Sequence, residues 1–276
     1  MKISVVDFVN AWPLSWGFRR GLVPGVDVIR DVPSACADRL HRGEVDAGLV
    51  PVVELARTPG LEVVRGLGIC ARREVRTVLL LSRVPVEKIR HVGIDGASRS
   101  SAALVRLLLE KRYGLDVDFH KGASDLSELL RHNDAGLLIG DPALALDAET
   151  RNGLLVLDLA AEWNAWTGLP FVFAVWAVRA GTDPAPFYEA RLAGFRAIDE
   201  IVREGARESG KSESEIRLYL TEQLSYDLGA GEERGIEEFL GRCAEAGILS
   251  APVPITWTGA ARPPASFPFP VAGVSS

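Results

Sequence analysis

The chain has 276 residues, 47% of them hydrophobic and 25% charged, with a formal net charge of −6 at pH 7. That length holds one large domain or two smaller lobes, each able to bury its own core, and the composition is that of an ordinary globular protein. The acidic balance argues against a nucleic-acid partner, which needs a clustered basic face, but leaves room for a local anion site. Cys36, Cys70 and Cys243 are odd in number, far apart and without metal spacing, and read as reduced, buried thiols.

In chain order, Met1-Lys2 leads straight into the strand Ile3-Ser4-Val5-Val6-Asp7, with no apolar h-region or cleavage site. No apolar run reaches the length of a membrane span. The expectation is a cytoplasmic protein without a membrane segment. Asn10 follows the first strand, where open α/β sheets place their ligands; by composition it also suits an Asx-turn ahead of Pro13. A short helix is expected from Leu14 to about Arg20. Val26–Arg30 reads as a second strand, Pro33-Ser34 opens a helix from Ala35 to Arg42, and Gly43 stops it. The strand Ala47–Val50 then runs into Pro51 and a helix holding Glu54 in its first turn, where dipole complementarity explains an acid. Two βαβ units in so short a stretch predict a parallel sheet covered by helices on both faces.

From Leu61 to Arg83 the pattern is β-rich, and Thr77-Val78-Leu79-Leu80-Leu81 is too apolar for a strand with an exposed face. A second lobe is read from Pro85 onward. Its strand at Val92-Gly93-Ile94 enters a polar turn, and a helix follows whose apolar residues Leu104, Val105, Leu108 and Leu109 recur with helical spacing up to Gly114. Ser98, Arg99, Ser100 and Ser101 lie at its start, among backbone N–H groups with no partner inside the helix. That terminus suits a carboxylate or phosphate, although Ser98 is explained equally by capping. Further strands are read at Val117–Lys121, Ala135–Ile139 and Leu154–Leu157. Asp141-Pro142 reads as an N-cap followed by a first helical position. The aromatics from Trp163 to Phe171 read as core plugs or a cleft wall. Helices are expected over 186–208, 212–220 and 232–246, before a Pro-, Gly- and Ser-rich tail whose end is loosely held. The four histidines, His41, His91, His120 and His132, are scattered and read as surface residues. No nucleotide fingerprint, metal cluster or nucleophile elbow is present, so no cofactor is expected.

Residues alone thus give a two-lobed α/β protein with a strand-end cleft. The combination Phe8-Val9-Asn10-Ala11-Trp12-Pro13-Leu14, Val32-Pro33-Ser34, Val45-Asp46-Ala47-Gly48-Leu49-Val50-Pro51, Ser98-Arg99-Ser100-Ser101, Ile139-Gly140-Asp141 and Trp166-Thr167-Gly168-Leu169-Pro170-Phe171-Val172-Phe173-Ala174 resembles the chorismate dehydratases of the futalosine route to menaquinone. The likeness extends over nearly the whole chain, while Ala11-Trp12 and Val52-Val53 depart from the commoner family versions.

The resemblance implies a periplasmic-binding-protein type II fold with its site between the lobes. Lobe one would be residues 1–84 plus 176–276, including the tail from 250, and lobe two residues 85–175, with Thr77–Leu81 and Phe173–Val178 as the crossing segments. It implies a small-molecule partner, chorismate, converted to 3-[(1-carboxyvinyl)oxy]benzoate with loss of water. Carried over by motif, Asn10 and Thr77 would be catalytic, and Ser34, Ser98, Arg99, Ser100, Ser101, Gly140, Asp141, Thr167 and Gly168 would bind substrate. Asp7, Glu54, Asp95 and Asp141 are candidate bases, weighed against the substrate's own enolpyruvyl carboxylate. Two other readings are a non-catalytic binding protein of the same fold and the sister enzyme acting on cyclic dehypoxanthine futalosine. The latter depends on a histidine base, for which no motif is found here.

Overall fold

The computed structural model describes residues 1–95, 99–122 and 125–258. The chain lays down β1 (Lys2–Val6), β2 (Asp27–Asp31), β3 (Ala47–Pro51) and β4 (Leu61–Ala71) before crossing to a second sheet. That sheet is built from β5 (Val78–Ser82), β6 (His91–Asp95), β7 (Asp118–Gly122), β8 (Ala135–Ile139) and β9 (Leu155–Asp158). The chain then returns through β10 (Phe171–Arg179), β11 (Ser225–Asp227) and β12 (Thr256–Trp257). Among the described residues the larger sheet runs β11-β4-β10-β3-β1-β2, with β12 on β4, and the smaller runs β7-β6-β8-β5-β9.

The parallel pairing of β1 with β2 and β3 follows from the two βαβ units, whose crossovers are the helices Trp12–Arg19 and Pro33–Arg42. The second of these begins on Pro33 and ends at Gly43, whose φ of 75° is the left-handed stop its sequence implies. Every residue of β3 and β5 is buried, which is why both read as continuous apolar runs.

The strands set the changeovers earlier than the resemblance implies. β5 lies within the smaller sheet, antiparallel to β8 and β9, so the first crossing is residues 72–77. The return crossing is the helix Leu159–Thr167 with the turn after it, and Phe173–Val178 lies inside β10 between β3 and β4. Only Thr77 of the expected crossing strands is in a crossing.

The helix expected over 186–208 is two helices, Ala185–Arg196 and Ile198–Ser209, broken at Ala197. Gly194 sits so close to the helix Trp12–Arg19 that a Cβ there would fall 2.1 Å from the Pro13 carbonyl oxygen. The break lets the second helix turn its buried face, Ile201, Val202 and Gly205, toward Val9 and Ile216. The tail is held as far as Thr258, which is buried and whose hydroxyl accepts the Arg65 N–H. Its remainder lies outside the described residues. Trp163 and Phe171 are core plugs, edge-on to each other and to Phe239. All four histidines are exposed.

Candidate active site

The C-terminal ends of β1, β3 and β8 converge on a cavity between the two sheets. Its walls are mostly apolar: Phe8, Leu49 and Phe173 from the larger-sheet side, Val78 and Ile139 from the smaller. Phe173 reaches the cavity through a bulge. Val172 pairs with Cys70 and Ala174 with Ile69, so Phe173 has no partner opposite it in β4 and its side chain is re-aimed.

The polar lining falls into two groups. On one side Asn10, in the short turn Val9–Ala11, and Thr77, at the end of the first crossing, meet the same phenol. The Thr77 hydroxyl donates to the Tyr219 hydroxyl at 2.9 Å, and the Asn10 side chain hydrogen-bonds that oxygen as well. Burial pushes the Tyr219 phenol well above its ordinary range, so it stays protonated. On the other side Arg99, Ser100 and Ser101 open the helix Arg99–Leu107. Ser100 Oγ accepts the Val53 N–H at 3.3 Å, which leaves its own hydrogen to donate.

The structure brings Asn10, Thr77, Arg99, Ser100, Ser101 and Gly140 to one cavity. Ser34, Asp141, Thr167 and Gly168 are not among its lining residues. Ser34 is half-buried in the first turn of its helix. Thr167 bonds back to the Trp163 carbonyl and accepts the Leu169 N–H, and Gly168 is the left-handed stop of its helix, at φ 71°. Both shape the turn into β10. Ser98 lies outside the described residues. Asp141 is not the helix cap its sequence implies: the helix Gly140–Ala145 starts two residues before Pro142, with Ile139 at the cap, and the Asp141 carboxylate instead accepts the Val9 N–H at 3.3 Å. Glu54 is held by more than a helix dipole. It pairs with Arg99 at 3.1 Å and Arg57 at 3.3 Å, and Arg99 also reaches Asp38 at 2.7 Å. Asp7 pairs with Arg19.

Tyr219, which joins Asn10 and Thr77, is the side chain at this site that sequence reasoning missed. It follows a capping box, Ser212 with Glu215, and an apolar helix face, which are signals of a helix and nothing more. The local clue is visible only in the backbone: Tyr219–Gln223 is a π turn, closed by Leu224 N–H on the Tyr219 carbonyl. Such turns are frequent at functional sites.

The model of a protein family described as menaquinone biosynthesis matches residues 1–245. The chain belongs to this menaquinone biosynthesis family. It is 30% identical to the chorismate dehydratase of Thermus thermophilus, with 91% of this chain and 97% of that protein covered. To the chorismate dehydratase of Campylobacter jejuni it is 25% identical, over 88% and 97%. Among solved structures, a protein from Archaeoglobus fulgidus superposes with a TM-score of 0.72 at 14% identity, covering 90% of this chain and 98% of that one. The alkanesulfonate-binding protein of Xanthomonas axonopodis does so with 0.68 at 14%, covering 92% and 96%. The fold is therefore that of the periplasmic binding proteins, with two α/β lobes. No helix among the described residues is long and apolar enough to cross a membrane.

In this member of the menaquinone biosynthesis family, Asp141 ties the lobes at a cost that depends on pH. Burial raises its carboxyl to about 6, against the Val9 N–H that lowers it and with Glu208 and Asp7 adding to the rise. A carboxyl with a raised folded-state pKa binds its proton more readily folded than unfolded. The folded state therefore loses ground as pH rises from about 4 to about 6, and the penalty is complete above that. Asp141→Asn keeps an acceptor for Val9 without the charge. Its thermal midpoint should exceed the wild type's at pH 7, and the gap should close by about pH 4. A gap that stays constant across that range would rule this account out.

Proposed function

We propose that this chain is a hydro-lyase that converts chorismate to 3-[(1-carboxyvinyl)oxy]benzoate, on the futalosine route and in the cytoplasm. The observation that carries the reading is the pairing, across one apolar cavity, of two sets of hydrogen-bonding groups, Asn10 with Thr77 and Ser100 with Ser101. Membership of the menaquinone biosynthesis family and the names of the two curated relatives support it. Three buried, unpaired thiols suit a reducing compartment.

Chorismate is a dianion with a flat, apolar ring. Its ring carboxylate is assigned to the hydroxyls of Ser100 and Ser101 and the free N–H groups of their helix start. Its enolpyruvyl carboxylate is assigned to Asn10 and Thr77, and the ring to Phe8, Phe173 and Ile139. The C3 hydrogen is vinylogous to the ring carboxylate, so its electron pair delocalises through the diene on removal. The C4 hydroxyl then leaves as water and the ring becomes aromatic. Among the described residues lining the cavity none is a carboxylate or an imidazole. That supports the enolpyruvyl carboxylate as the base. Groups held this well can reach effective molarities of about 10⁵ M or more, so positioning is the protein's main contribution.

Incubating the purified chain with chorismate should replace the diene absorbance with that of a substituted benzoate whose mass is lower by one water. Chorismate left intact by folded protein, or a product of another mass, defeats the reading. The base is tested by Asp7→Asn, Glu54→Gln, Asp95→Asn and Asp141→Asn. Each should keep turnover within about tenfold at saturating chorismate, because a true side-chain base contributes about 10²–10⁴. One variant that binds product normally yet loses about a thousandfold would identify its acid as the base.

A further inference from the structure

Resting on the dehydratase reading, we infer that Tyr219 is a positioning residue for the reaction, whose hydroxyl fixes Asn10 and Thr77 in their cavity-facing orientation and exchanges its hydrogen bond with Thr77 as a carboxylate binds. Tyr219 does not line the cavity. It is 1% exposed and stands behind the two residues that do, 2.9 Å from Thr77 Oγ1. Thr77 donates to the phenol oxygen, and the Asn10 side chain is bonded to it as well.

This arrangement poses a bonding problem that the phenol solves. While Thr77 donates to Tyr219, it has no hydrogen for a ligand. A carboxylate is a stronger acceptor than a phenol, so its arrival turns the Thr77 hydrogen into the cavity. The phenolic hydrogen then turns onto Thr77 Oγ1, and the buried pair stays bonded. Asn10 is bonded to the same phenol and lines the cavity, where its amide meets the same carboxylate. A hydrogen-bonded pair that works in either direction lets Thr77 release its hydrogen without leaving a buried polar atom unpaired. Phenylalanine could fill the space and could not do this. The π turn explains how the phenol is placed, since its extra residue turns Tyr219 inward where Leu224 also meets the cavity.

Tyr219→Phe should lower kcat/KM by about 10- to 100-fold, the effect of one lost hydrogen bond to a group that meets charge. Its product affinity should fall in parallel while its thermal midpoint stays close to the wild type's. Thr77→Val should show a loss of similar size, and the losses should fall short of multiplying in the double variant, because the two share the Thr77 bond and Tyr219 adds only its effect through Asn10. A kcat/KM within twofold of wild type, or losses that multiply in the double variant, overturns the role. If Tyr219→Phe fails to fold, 3-fluorotyrosine incorporated at position 219 keeps the ring and hydroxyl but weakens the oxygen as an acceptor. It should lower kcat/KM, and an unchanged value again overturns the role. Wild-type protein that leaves chorismate intact would instead sink the dehydratase reading itself.

Discussion

Asn10→Ala should reduce turnover of chorismate by about 10²–10³, the usual effect of removing one donor aimed at charge that must be held through a transition state. The argument starts from the absence of a carboxylate or imidazole among the described cavity-lining residues. If the substrate's enolpyruvyl carboxylate takes the C3 proton, the reaction depends on how often that group sits against C3. Asn10 is one of two side chains assigned to hold it there, and its carboxamide is fixed by the buried Tyr219. The loss should appear in kcat as well as KM, since a mispositioned carboxylate is both more weakly bound and less reactive. Asn10→Asp sharpens the test. It keeps the shape but sets a like charge beside the proposed base, and should be poorer than Asn10→Ala in product affinity. Steady-state formation of the aromatic product and calorimetric product binding measure both effects. An Asn10→Ala variant that turns over within about threefold of wild type would remove Asn10 from any positioning role.

The parts of this site that sequence reveals are the ones specified locally. Pro33 and Gly43 bracket their helix because fixed and left-handed backbone are properties of single residues. Apolar runs announced β3 and β5 because both faces of those strands are covered. What stayed hidden is specified by pairing at long range. Thr77 and Tyr219 are 142 residues apart, and Val9 and Asp141 are 132 apart. Asp141 shows the difference most sharply. Asp before Pro fits an N-cap by local rules, yet the backbone enters its helix at Gly140 with φ 62°, and the carboxylate turns to an N–H of the other lobe. The bulge that aims Phe173 into the cavity is likewise set by the register of β10 against β4, which single-strand alternation does not encode.

Arg99→Ala should destabilise the protein by about 3 kcal/mol, the lower end of the cost of stripping a buried carboxylate of its partner. Arg99 comes from the smaller-sheet lobe, and its guanidinium spans two acids of the larger, Glu54 at 3.1 Å and Asp38 at 2.7 Å. The two acids differ in what they stand to lose. The Asp38 side chain is 46% exposed and water replaces Arg99 there at little cost, whereas that of Glu54 is 5% exposed. Arg57 remains beside Glu54 at 3.3 Å, which holds the loss to the lower end of the range. The arginine is thus chiefly a tie between lobes, and its charge is largely balanced before any ligand arrives. Two consequences separate this from a role in binding alone. Glu54→Gln, which leaves an amide where the unpaired charge would be, should recover much of the stability lost in Arg99→Ala. Without ligand, the Arg99→Ala chain should also scatter X-rays with a larger radius of gyration than wild type, because hinged lobes released from a tie sample wider openings. Saturation with product should shrink both proteins toward the same value. If Arg99→Ala melts with the wild type and weakens only product binding, the arginine acts on the ligand and the lobes are held by other contacts.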